Sequence, residues 1–218
     1  QQLTTPFSPI ADTPQVLHHR VIWLMSCWGY ALGEEMLKQL ICFLVSYLDP
    51  DRFDLMVRLQ VVRSLGVLIQ CDDFTPDMIL EVLEPLLTHT CRLVTTEVTE
   101  ASVQVFVISF FQEIVDTVGL SCKPHLGTLL QYVMPLWGVC SGPDGQQQQQ
   151  QQQQLDDECG DQSSSPQCII RASLLELFTS FVQIDKGESG ESLYSYIEEP
   201  LRYSTSATDD SAYLCQQG

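Results

Sequence analysis

The sequence predicts an all-α protein made of antiparallel helix pairs stacked in one row. Three observations predict it. Apolar residues recur at steps of three and four along most of the chain, as at Leu55, Leu59, Val62, Leu65 and Ile69, which sets them on one helical face. Strand signals are nearly absent. Apolar residues at matching places also repeat: Leu40 to Leu86 is 46 residues, Leu86 to Leu129 is 43, and Leu129 to Tyr194 is 41 once a 24-residue insertion is set aside. A period of about 40–47 residues is that of a two-helix unit, which buries its apolar stripe only by stacking on like units.

Residues 1–12 read as a loop. A helix is expected from Thr13 as N-cap with Pro14 at its first position, running through VLHHRVIWLMSCWGYAL to Gly33. Its apolar stripe is Val16, His19 or Arg20, Trp23, Leu24, Cys27 and Trp28. Glu34 and Glu35 suit the positive start of the next helix, whose stripe is Leu37, Leu40, Ile41, Leu44 and Leu48. Asp49-Pro50-Asp51 turns the chain into DRFDLMVRLQVVRSLGVLIQ (51–70), the partner helix.

Thr75 is the expected N-cap of a further helix carrying Ile79, Val82, Leu83, Leu86, Leu87 and Val94, kinked or broken at Pro85. Its partner covers residues 97–118, with Val103, Phe106, Val107, Phe110, Ile114 and Val118 inside and Gly119 as terminator. Leu126, Leu129, Leu130, Val133, Leu136 and Trp137 mark the next helix.

Residues 142–165 contain an unbroken glutamine run, 146–154, an acidic triplet and a serine cluster, and read as a disordered insertion inside one pair. Helical spacing resumes at Ile170, Leu174, Leu177, Phe178 and Phe181, and again at Leu193, Tyr194, Ile197 and Leu201. Stacked repeats therefore occupy 13–141 and 166–218. The first helix lacks a partner and the last, from about Ser211, is cut short, so the chain reads as part of a longer array.

Composition narrows the function. Twenty-eight acidic against 10 basic residues give a net charge of −18, which repels phosphates and argues against nucleic-acid binding. Such a surface suits basic partners, and it also serves solubility. The nine cysteines show no CxxC spacing and mostly sit in apolar runs, so reduced thiols in the cytosol or nucleus are expected. The first residues lack the basic and apolar regions of a signal peptide. The uncharged window 124–143 carries Pro124, His125, Gln131 and Pro135 and fits a buried helix better than a membrane span.

No enzyme signature is present. His18, His19, His89 and His125 have no partners at metal-ligand spacing, and neither a phosphate loop nor a nucleophile elbow occurs. No catalytic, cofactor-binding or metal-binding residue is expected.

An Asp, then Val57-Arg58, then an apolar helix containing small residues resembles the second helix of a HEAT repeat. That likeness implies a right-handed superhelical, armadillo-like solenoid. Five stretches then resemble the importin-β superfamily of nuclear transport receptors, and within it the importin eleven type. They are HHRVIWLMSCW (18–28), LDPDRFDLMVRLQVVRSL (48–65), the Asp72-Asp73-Phe74 turn, CKPHLGTLLQYVMPLWGVC (122–140) and, more weakly, CIIRASLLELF (168–178).

The resemblance implies a receptor segment that binds protein cargo non-covalently and releases it when Ran binds in its GTP form. Ran would engage other parts of the longer protein. It further implies nucleoporin contacts, shuttling between cytoplasm and nucleus, and no cofactor. A HEAT scaffold for a stable assembly, or an export receptor, is the alternative.

Second helices of such receptors line the concave side, which makes Asp54, Glu97, Glu100, Glu113 and Asp116 the candidate partner-binding set. For each, a solvated face or helix capping is the plainer reading, above all for Asp54 and Glu97. Trp23, Trp28 and Trp137 read as core anchors rather than partner contacts, and Arg58 as a link between repeats.

Overall fold

The computed structural model describes residues 15–141 and 166–185, together with residues 198, 200 and 202. These residues are mostly helical, and no strand occurs among them. The glutamine-rich insertion, the Thr13 cap, the helix expected around Tyr194 and the final helix lie outside the described residues. The chain divides into two compact units, Gln1–His89 and Thr90–Gly218.

In the first unit, α1 (Gln15–Cys27) and α2 (Glu34–Val45) both pack on α3 (Leu55–Ile69). The stripe expected for α2 is buried in full: Leu37, Leu40, Ile41, Leu44 and, past the helix, Leu48. Asp54 caps α3, its carboxylate accepting from the Val57 amide at 2.8 Å. Tyr47 stacks on Phe53 with ring centroids 4.2 Å apart, and His18 meets both rings edge-on. That contact makes His18 a packing residue.

The face of α1 differs from expectation. The helix ends at Cys27, and a 3-10 turn (Gly29–Ala31) follows. Its buried residues are Ile22, Ser26 and Gly29, while Val16, Leu24, Trp23 (49% exposed) and Trp28 (61% exposed) face outward. The two tryptophans are thus not core residues. One cause is size: the turn that ends α1 comes so close to α3 that a Cβ on Gly29 would overlap the Leu68 side chain. No side chain fits at that point, while Ile22 fills the seam farther back along α1.

α3 is buried on more than one stripe, because helices cover it on two sides. Val57, Val61, Val62, Leu65 and Leu68 are inside, while Leu55, Leu59 and Ile69 are half-buried. Polar groups go inside with them. Gln60 Nε2 donates to Ser64 Oγ at 3.1 Å, and Ser64 Oγ donates to the Ile22 carbonyl at 3.5 Å. Arg58 is only 5% exposed.

The next helix is broken, but upstream of the expected residue. α4 (Asp77–Leu80) ends before Glu81, and α5 (Leu83–Arg92) begins after Val82. Pro85 lies in the first turn of α5. Its ring would collide with the carbonyl four residues earlier, that of Glu81, so the break falls there. Pro76, without a side-chain cap, occupies the N-cap of α4, and Thr75 contributes its carbonyl to the Met78 amide at 3.0 Å.

In the second unit, the expected start at Glu97 moves to Ala101. Thr95 and Thr96 bond back to the carbonyls of Cys91 (2.9 Å) and Arg92 (2.8 Å), and the backbone widens into a π turn (Leu93–Glu97). Such back-bonding bends a helix and helps end it. α6 (Ala101–Val118) then closes on Gly119, whose φ of 51° is a conformation that favours glycine. Phe106 lies on its exposed side rather than inside, since Phe111 and Val107 take the core face.

A 3-10 segment (Gly119–His125) leads into α7 (Leu126–Ser141), and beyond the insertion comes α8 (Pro166–Asp185). Both α6 and α7 pack on α8. Every apolar residue expected inside α7, Trp137 included, is buried, as are Ile170, Leu174, Leu177, Phe178 and Phe181 of α8. A line of edge-on rings joins the three helices: Phe111 to Phe181 (6.3 Å), Phe181 to Phe178 (6.4 Å) and Phe178 to Trp137 (6.0 Å).

By length and composition, Ala101–Cys140 and Gln167–Asp185 are apolar enough to cross a membrane. In the structure the apolar sides of these helices pack against one another.

Candidate functional site

α6 and α8 each carry two stripes. Their apolar stripes meet through Phe111 and Phe181. Beside that seam, Gln112, Val115, Asp116 and Gly119 follow helical steps of three and four on α6, and Glu176, Thr179, Ser180, Gln183 and Ile184 do so on α8. The two rows, with Leu120, wall a groove of about 600 Å³. Val115, Ser180 and Ile184 are its buried members.

The groove is negative. Among the described residues Asp116 and Glu176 are its charged members, both exposed, and no lysine, arginine or histidine lines it. Among the described residues neither carboxylate forms a hydrogen bond or an ion pair. The C-terminal end of α6 at Gly119 also borders the groove and adds the partial negative charge of its last carbonyls.

The five carboxylates expected to bind a partner meet different fates. Asp54 is held as the α3 cap. Glu97 ends the π turn, half-buried, 3.6 Å from Arg92 Nε. Glu100 occupies the N-cap position of α6 and accepts from Ser102 Oγ at 2.6 Å. Glu113 is half-buried on α6 outside the groove lining. Asp116 alone of the five lines the groove, and Glu176, which sequence reasoning missed, joins it there. Its signal was present: Glu176, Thr179, Ser180 and Gln183 form a polar stripe beside the apolar one on α8.

The first unit carries a groove of another kind, about 460 Å³, lined by Leu24, Met25, Trp28, Leu32, Met36, Gln39, Leu40 and Phe43. Beyond it, Lys38 Nζ pairs with Glu81 Oε1 at 2.7 Å, and that hydrogen bond holds the Lys38 pKa above its ordinary value.

The described residues hold no group of three or more His, Cys, Asp or Glu side chains placed to bind a metal ion. Seven described cysteines are free thiols. Cys91, Cys122 and Cys140 are buried, and burial raises all three thiol pKa values, to about 12 for the first two.

No protein-family model and no solved structure matches the chain. Two curated relatives do. Importin-11 of Homo sapiens is 23% identical over 218 residues, which is 100% of this chain and 20% of the relative. Importin-11 of Mus musculus is 24% identical over 203 residues, 93% of this chain and 18% of the relative. The chain thus spans about a fifth of the length of the curated relatives it matches. The likeness read from the five stretches between residues 18 and 178 therefore extends over the whole chain, which is similar, at low identity, to a segment of importin-11.

Proposed function

We propose that this chain is a segment of a nuclear import receptor, holding protein cargo non-covalently on a HEAT-type helix stack from which Ran-GTP releases it. The observation that carries the reading is the similarity to Importin-11 along all 218 residues. Packing supports the stack. In the first unit α3 packs on both α2 and α1, and in the second α8 packs on both α7 and α6. A second helix that touches its own first helix and the preceding second helix is the arrangement of stacked two-helix repeats.

On this reading the repeats occupy 13–141 and 166–218, with the glutamine-rich insertion between them, and the chain works without a cofactor or a catalytic step. Cargo with a basic surface fits the negative groove on α6 and α8, which are both second helices. Ran would engage the receptor outside this segment, nucleoporins would be further partners, and the receptor would shuttle between cytoplasm and nucleus. Small rotations at each repeat interface add along a stack, which gives Ran binding at a distance a route to cargo release.

The test is a cytosol pull-down on the longer receptor containing this segment, with and without Ran locked to GTP. Partners lost on adding Ran-GTP support import and identify cargo. Partners gained would mean an exporter, and an unchanged set would leave a scaffold.

A further inference from the structure

We draw no further inference here: the strongest candidate, the apolar groove between α1 and α2 along which Leu24, Trp28, Met36 and Phe43 are exposed, carries none, because nothing in the structure shows what covers it.

Discussion

Gly29 lies so close to Leu68 that a Cβ on the glycine would overlap Leu68 Cδ2, and Leu68 is fully buried. Gly29→Ala should therefore push the turn after α1 away from α3, or displace Leu68 within the core, and cost about 1–3 kcal/mol. Urea unfolding of the two proteins reads it. An unchanged midpoint would mean that the seam yields without cost.

Asp54 is a cap before it is anything else. Asp54→Ala removes the acceptor of the Val57 amide and should lower stability by about 1 kcal/mol, with Asp54→Ser recovering most of it. Binding of the pull-down partner should not change in either variant at a temperature where both are folded. A loss of affinity in Asp54→Ser at full stability would restore Asp54 to the binding set.

The tryptophans divide by burial. Trp137 is 1% exposed and meets Phe178, so Trp137→Ala should cost about 3–5 kcal/mol. Trp28, at 61% exposed, should tolerate alanine within about 0.5 kcal/mol. Thermal unfolding of the pair decides, and equal losses would contradict the assigned face of α1.

Alkali should weaken the fold through its buried thiols. Cys91 and Cys122 keep their protons to about 12 when folded, whereas an exposed thiol ionises near 9.0. Above the lower value the unfolded chain loses protons that the folded chain retains, so stability is whole below it and falls as pH rises towards the upper one. The slope for each such thiol is about 1.4 kcal/mol per pH unit. Chemical unfolding at pH 8 to 11 should show a shallower decline in Cys91→Ala than in the parent, and parallel declines would refute the cause.

Much of this architecture was legible because apolar spacing is a good guide where helices pack through large side chains. α2, α7 and α8 obey it, from Leu37 to Leu48 and from Leu126 to Phe181. It misled at α1, since the measure counts apolarity and ignores size, and the seam with α3 takes Ile22, Ser26 and, in the turn beyond, Gly29 rather than Trp23 and Trp28. It also placed the helix break at Pro85, although a proline acts on the carbonyl four residues before it. The binding set was overcounted for a related reason. Sequence shows a carboxylate but not the amide, hydroxyl or guanidinium beside it, and these claim Asp54, Glu100 and Glu97. Glu176 was overlooked because its helix follows the insertion, far in sequence from Asp116.

The contacts between α1 and α3 also fix how far one helix is displaced along the other. Apolar side chains on two helices are nearly interchangeable, so a slide of one turn, about 5.4 Å, would exchange one good hydrophobic contact for another. Two keyed points forbid it. Leu68 would leave the notch over Gly29 and meet a side chain, and Ser64 would lose the Ile22 carbonyl and stay buried with Gln60 as its remaining partner. The keys sit one turn apart on α3, and opposite them one lies within α1 and the other in the turn just past its end, so they define a single register, as two pins locate a plate that one pin would let swing.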